Sequence, residues 1–508
     1  MAAAETGRER NAGIGQWRKP AFALLILAYF LYFNWNGLWA RFAADDMMNM
    51  VGCWRPAPAR LLLDALLPGH GAYRPMAGLF YLPLHHFFGL NPLPYHAVML
   101  AILLGNLYLM YRFALRIGCG ELQAGLATLI LAYHAGLSML YYNTSFIYDV
   151  LCFAFYMGAF LCYARVRAQG RLLRGSDTAL VMGLYLCALD SKEMALTLPI
   201  VLLAYEWIYG DGWPAAWTRK GIAAWLRGPG RVVLYCVVLN LLYLDGKVFG
   251  SDALTQNAAY RPDLSLHRVF EFEKTAMGDL FLSWDTFNSL GVAAVWVLVA
   301  WLAWRRPRPV LRFCWVFLML TPLPLAVLEG RGAACLYIPL AGWAAFAAVV
   351  LTDVASRAAR FLAGEPVFRR AGYAALFAAI LCTSFYFWVK KNDYLRRQFA
   401  WVAMADLGKQ TADAIQQLRT LNPHVKSNTD VVFLHDPFEG WDMSFIAELW
   451  FCDKTQRFHL QSKVPLSPQD MATMTVFDFQ NGRLVQVSAP PAPANSKPDA
   501  TPTTAPDL

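Results

Sequence analysis

The chain has 508 residues, 57% of them hydrophobic and only 16% charged, where a soluble enzyme would carry roughly a quarter charged residues. That composition excludes an ordinary water-soluble globular protein. The net charge of +9 sits mostly in short segments between apolar runs, so it reads as a topology signal and not as nucleic-acid binding.

In chain order, a basic head (residues 1–20, "GRERNAGIGQWRKP") precedes an apolar run over 21–40. That run lacks a small-residue cleavage site and is long enough to cross a bilayer core of roughly 30 Å, so it predicts an anchor and not a signal peptide. Further apolar blocks follow at roughly 92–111, 121–140, 146–164, 178–190, 194–209, 231–249, 286–304, 310–327, 333–351 and 371–389. The expected fold is an all-α polytopic membrane protein of about eleven transmembrane helices, with 21–389 as the membrane domain.

The connecting segments sort by charge. "YRFALRIG", "RVRAQGRLLR", "TRKGIAAWLRGPGR", "RRPRPVLR" and "RAARFLAGEPVFRR" are basic and fall on the same side as the head. The other side holds Asp45, Asp46, Asp64, Asp149, Glu193, Asp252, Asp263, Glu271, Glu273, Asp279 and Glu329. This alternation predicts a cytoplasmic N-terminus and an outer C-terminus. Lys390 and Lys391 run against it.

The first outer loop, 41–91, contains "PARLLLDALLPGHG" and "PMAGLFYLPLHHFFGL", which read as helices on the membrane surface. Making Met76–Phe88 a thin span would move Arg112 and Arg116 outside and spoil the charge alternation. From 390 to 488 the composition changes to a small outer α/β domain. It has an amphipathic helix in "RRQFAWVAMADLGKQTADAIQQLRTLN", a strand in "DVVFLHDPF", and a hairpin in "TVFDFQNGRLVQVS" that turns at Asn481-Gly482. The tail, 489–508, is Pro/Ala/Thr-rich and is expected to be disordered. Of ten cysteines, eight lie in or beside apolar runs. Cys53 and Cys452 fall in outer segments, where a disulfide between them stays open.

Unusual polar residues gather at the outer ends of the spans. Asp45 and Asp46 follow the first span, and Arg74 lies in "GAYRPMAG". Asp149 opens the span after "YYNTSF". Asp190, Lys192 and Glu193 interrupt an apolar stretch in "ALDSKEMALTLP", so they mark an outer turn. Glu329 and Arg331 stand in "LEGRGAACLYIP", before Tyr337. Plainer readings exist. The two aspartates could cap a surface helix, Lys192 and Glu193 could neutralise each other, and His85, His86 and His134 read as packed residues. Taken together, acids and cations at one face suit a lipid-phosphate donor. Cations hold phosphate oxygens, a carboxylate can take a proton from an acceptor, and an acid pair could hold a divalent cation.

The acid pair, "YRPMAG", "GLNPLPYH", "SKEMALTLP" and "RGAACLYIP" together resemble membrane glycosyltransferases of the GT-C class over residues 20–350. The nearest resemblance is to the transmembrane O-mannosyltransferases that carry tetratricopeptide repeats. Protein O-mannosyltransferases and lipid A aminoarabinose transferases resemble it more distantly. The resemblance implies an inverting transferase of the bacterial inner membrane. It would move a sugar from a polyprenyl-phosphate donor to a glycan, lipid or protein acceptor on the outer face. By the same resemblance, Asp45 is the base, and Asp46 or Asp149 orients the acceptor or holds a metal. Arg74, Lys192 and Arg331 hold the donor phosphate, with Tyr73, Glu193 and Tyr337 in support. The sequence differs from those families in the five residues between Arg331 and Tyr337 and in a C-terminal domain without helical repeats. Two other classes remain: an envelope-glycan polymerase or ligase, and a lipid-linked sugar transporter. The second predicts midplane polar residues and related halves, and neither is visible.

Overall fold

The structure, a computed structural model, describes residues 20–67, 74–210, 218–249, 260–284, 286, 287–306, 308–330, 333–363 and 367–487. Tyr73, Arg331, Asp252, nearly all of the basic head and the 489–508 tail lie outside the described residues. The chain divides into two compact units. The first is Met1–Ala40 with Gly52–Ala405, and the second is Arg41–Val51 with Asp406–Leu508.

The first unit is helical. Its helices are α1 (Pro20–Trp39); α2 (Ala44–Trp54), which begins in the second unit; α3 (Pro58–Leu66); α4 (Gly78–Phe88); α5 (Pro92–Arg116); α6 (Glu121–Ala132); and α7 (Ile147–Arg167). They continue with α8 (Gly175–Ser191), α9 (Leu198–Tyr209), α10 (Arg219–Arg227), α11 (Arg231–Phe249), α12 (Leu266–Phe281), α13 (Ser289–Arg305), α14 (Pro309–Leu320), α15 (Tyr337–Ala363) and α16 (Val367–Leu395). Among the described residues, six helices are long and apolar enough to cross a membrane. They become seven if α10 and α11, which meet at 87°, form one broken span.

Four expected spans become helices of 17 residues or fewer. The 121–140 run is helical only to Ala132, 12 residues, or about 18 Å of rise. There the backbone turns extended at Tyr133 and His134. His134 holds the break: its Nδ1 accepts the Gly136 N–H at 3.2 Å, and its Nε2 meets the Leu280 carbonyl oxygen at 3.0 Å. The 194–209 run begins with a 3-10 turn, Glu193–Thr197, before the 12-residue α9. The 178–190 and 286–304 runs become helices of 17 residues each. Met76–Phe88 holds a 3-10 turn and the 11-residue α4, too short to cross.

Apolar residues recur on every face of these helices, so the packing leaves many of them uncovered. Leu234, Val237, Val238, Leu241 and Leu242 of α11 are exposed. The most apolar 18-residue stretch within the span Ala371–Gln398 has no buried residue. Such surfaces are stable against lipid tails and not against water. The interior is held by an aromatic cluster that joins α5, α7, α9 and α14: Phe113 lies 5.3 Å from Phe160 and 5.4 Å from Phe317, and Tyr205 meets Phe160 edge-on at 5.6 Å.

The second unit adds helices α17 (Trp401–Leu421), which begins in the first unit, and α18 (Asp442–Phe451), and strands β1 (Asp430–Leu434), β2 (Arg457–Leu460), β3 (Thr475–Gln480) and β4 (Arg483–Val487). The sheet order is β2-β1-β3-β4. β1 runs parallel to β2 and β3, and β3 pairs antiparallel with β4. Asn481 and Gly482, at φ 51° and 76°, make the two-residue turn that needs left-handed backbone at both positions. Val432, Met471 and Val476 form the core, and Phe433 stacks on Phe477 at 5.4 Å. All ten cysteines, Cys53 and Cys452 included, are free thiols, so the disulfide left open by the sequence is not formed.

The segment Arg41–Val51 joins this unit through a close approach. A Cβ on Gly408 would lie 2.6 Å from Arg41 Cβ and 3.1 Å from the Phe42 carbonyl oxygen. Gly408→Val should therefore force α17 and this segment apart, at about 1–3 kcal/mol. A thermal melt of the full-length variant checks this, and an unchanged melting temperature would refute the packing.

Candidate functional site

The polar residues of the first unit are placed by helix interruptions. α8 ends at Ser191, and Lys192 is its extended cap, at φ −163° and ψ 148°. After the 3-10 turn, Pro199 starts α9 near its N-terminus, where a missing N–H costs nothing. Arg74 precedes Pro75 and takes the extended φ of −154° that a following proline favours. Asp149 sits in the first turn of α7, where the helix dipole favours negative charge. Cys335 lies in a 3-10 turn, Ala333–Leu336, at the entry to α15.

These interruptions bring four charges together as two ion pairs. Lys192 Nζ donates to Asp149 Oδ2 at 2.6 Å and contacts Cys335 Sγ at 3.1 Å. Arg74 donates to Glu193 through Nη2 at 2.9 Å and Nε at 3.4 Å, and its guanidinium lies 5.1 Å from the centre of the Tyr148 ring. Lys192 and Asp149 are 8% and 5% exposed. Lys192 therefore does not neutralise its neighbour Glu193; each cation takes the acid of another element. Burial alone would lower the Lys192 pKa, but the Asp149 carboxylate outweighs it and raises the pKa. Burial alone would raise the Glu193 pKa, but Arg74 outweighs it and lowers the pKa. By linkage, the Glu193 contribution to stability is present above the ordinary carboxylate range and is lost as pH falls through the lowered value.

Of the residues named from sequence, Arg74, Lys192, Asp149 and Glu193 meet in this cluster. Tyr337 is 2% exposed and stacks on Phe153 at 4.3 Å, one turn along α7 from Asp149. Tyr148 and Cys335 escaped the sequence reading, although each stands within two residues of one that was named. Asp190 is 5% exposed, and its Oδ2 has no hydrogen-bond partner among the described residues.

In the second unit, Asp45 and Asp46 fall in the first turn of α2 and take different environments. Asp46 is fully buried, and its Oδ2 accepts the Ala43 N–H at 2.7 Å, closing the helix start as half of a capping box. Asp45 is exposed. The loop after β1 supplies acidic neighbours: burial raises the Asp442 pKa, and the charges of Asp45 and Asp436 raise it further. Asp46 and Asp149, the acids considered for a metal, are thus engaged in a cap and an ion pair. Among the described residues there is no group of three or more His, Cys, Asp or Glu placed to hold a metal ion.

The molecule is thus a polytopic helical membrane protein with a buried double ion pair at helix interruptions and a small mixed sheet near its C-terminus. No family profile and no curated protein matches its sequence. Among solved structures it is similar to ArnT from Cupriavidus metallidurans bound to undecaprenyl phosphate, at 13% identity over 85% of this chain and 84% of that one, with a TM-score of 0.45. It is also similar to the Archaeoglobus fulgidus oligosaccharyltransferase. The apo form matches at 11% identity over 87% of this chain and 64% of that one, TM-score 0.46. The form tethered to an acceptor peptide matches at 13% identity over 87% and 63%, TM-score 0.46. The chain spans slightly less than two thirds of the oligosaccharyltransferase.

Proposed function

We propose that this protein is a membrane glycosyltransferase that takes a sugar from a polyprenyl-phosphate donor and passes it to an acceptor at the outer face. The observation that carries the reading is the buried pairing of Lys192 and Arg74 with Asp149 and Glu193 at the ends of helices in an apolar bundle. Fixed cations at that depth are costly, and a phosphate at the end of a lipid chain is a ligand that uses them. The charge alternation of the loops supports an outer location for this end and a cytoplasmic N-terminus.

Glycosyl transfer breaks the bond between the anomeric carbon and the phosphate oxygen, so negative charge builds on the departing phosphate. Cations already in position stabilise that charge without reorganising. The Lys192 ammonium has three N–H bonds. Asp149 and Cys335 take two directions, and the third serves a phosphate oxygen. The acceptor loses a proton as it attacks, and the sequence resemblance assigns that proton to Asp45, whose exposed carboxylate suits a base better than the capped Asp46. Asp149 and Glu193 hold the cations in place, and the resemblance adds Arg331 to the donor contacts and Tyr73 to the supporting residues. Inversion at the sugar carbon is likewise implied by the resemblance.

Binding of a polyprenyl phosphate tests this, with the neutral polyprenol as control. The phosphate form should bind the purified protein more tightly, and Arg74→Ala should weaken it roughly ten- to a hundredfold, the worth of a charge-assisted bond. Equal binding of the two lipids would remove the donor assignment.

A further inference from the structure

A second set of cations lies elsewhere in the helical unit. The α13–α14 turn and the last turns of α15 border a half-open cavity of about 260 Å³ lined by Arg306, Arg308, Asp353, Ser356, Arg357 and Arg360. Asp353, 8% exposed, pairs with Arg306 Nη1 at 2.8 Å and with Arg308 Nη1 at 2.5 Å. Among the described lining residues it is the single carboxylate beside four guanidiniums. Arg360 donates from Nε to the Ser356 carbonyl oxygen at 3.3 Å, and among the described residues its two terminal nitrogens have no hydrogen-bond partner. Arg357 makes no hydrogen bond or ion pair with another described residue. The cavity is several times the roughly 30 Å³ that one water occupies, so it can take a larger group.

Neighbouring side chains set its depth. Trp301 and Trp304 are 50% and 44% exposed. The Arg305 guanidinium lies 5.2 Å over the Trp301 ring, and that of Arg312 lies 5.3 Å over Trp304. Exposed tryptophans beside arginines at the ends of apolar helices belong at the level of lipid headgroups. Guanidinium forks match phosphate oxygens two at a time. We propose that this cavity binds a phosphate group, with Arg357 and Arg360 as its main donors and Asp353 holding Arg306 and Arg308 in register. Its headgroup depth favours the phosphate of an anionic phospholipid over free phosphate. The proposal does not depend on the donor reading, which uses other residues.

The test uses the full-length protein, delipidated in detergent and then offered phosphatidylglycerol or phosphatidylcholine with the same acyl chains. Native mass spectrometry counts the lipid retained. Wild type should keep phosphatidylglycerol in preference, and Arg357→Ala/Arg360→Ala should keep roughly tenfold to thirtyfold less, as expected for two cations at a membrane surface. Both side chains are exposed, so the variant should fold, with a thermal melt as the check. Arg74→Ala should retain phosphatidylglycerol as wild type does. Loss in Arg74→Ala but not in the double variant would put the lipid in the donor site and overturn the proposal. A rise in melting temperature with inorganic phosphate, abolished in the double variant and without any lipid preference, would assign the site to the free anion. Equal lipid retention by wild type and double variant, with no phosphate effect on either melt, would overturn it altogether.

Discussion

Lys192→Ala should lose both stability and donor binding, and the two losses should respond differently to a second change at Asp149. Alone, the substitution leaves the Asp149 carboxylate buried without the ammonium that stood 2.6 Å away. Breaking one side of a buried pair typically costs about 3–5 kcal/mol. Asp149→Asn added to it removes the stranded charge, so most of the melting temperature should return. If Lys192 also holds the donor phosphate, polyprenyl-phosphate binding should stay low in the double variant. Recovery of binding together with stability would reduce Lys192 to a structural partner. The cycle must be built with Asp149 and not with Glu193, because Glu193 belongs to Arg74. Lys192→Arg should rescue only in part: a planar fork cannot reproduce the compact ammonium held between Asp149 and Cys335.

The two adjacent aspartates of α2 should separate function from folding. Asp45→Asn keeps size and hydrogen-bonding capacity but removes the base, so transfer should fall about 10²–10⁴-fold. The melting temperature should hardly move, because the side chain is exposed. Asp46→Ala should do the reverse in stability: losing the carboxylate that accepts the Ala43 N–H costs about 1 kcal/mol, the usual worth of a helix-start cap. Transfer assays and melts on the two single variants decide the matter. Near-normal transfer by Asp45→Asn, with collapse in Asp46→Asn, would move the base to Asp46.

Some features of this protein are set by local sequence. A helix in lipid needs a continuous apolar run, so α5, α7, α15 and α16 stand close to where hydropathy alone puts them. Asn481-Gly482 specifies its own hairpin, since few other pairs tolerate two left-handed residues in succession. The interruption at Lys192 is legible for the same kind of reason: three charges within four residues, followed by a proline, cannot continue an apolar helix cheaply.

What local sequence left open was decided by packing. Lys192 and Glu193 are adjacent, but Lys192 is extended, and successive side chains of extended backbone point to opposite sides. Their partners therefore come from 43 and 119 residues away, at Asp149 and Arg74. The apolar run over 121–140 reads as one span, yet it breaks at His134 because that ring finds its acceptor on Leu280, 146 residues on. The segment Arg41–Val51 reads as the start of a loop between spans, but it packs with the C-terminal unit because Gly408 leaves room for Arg41 and Phe42. The arginine cavity is likewise built from two segments that each read as ordinary basic loops. In each case the deciding contact joins residues far apart in the chain, which local periodicity and charge count do not encode.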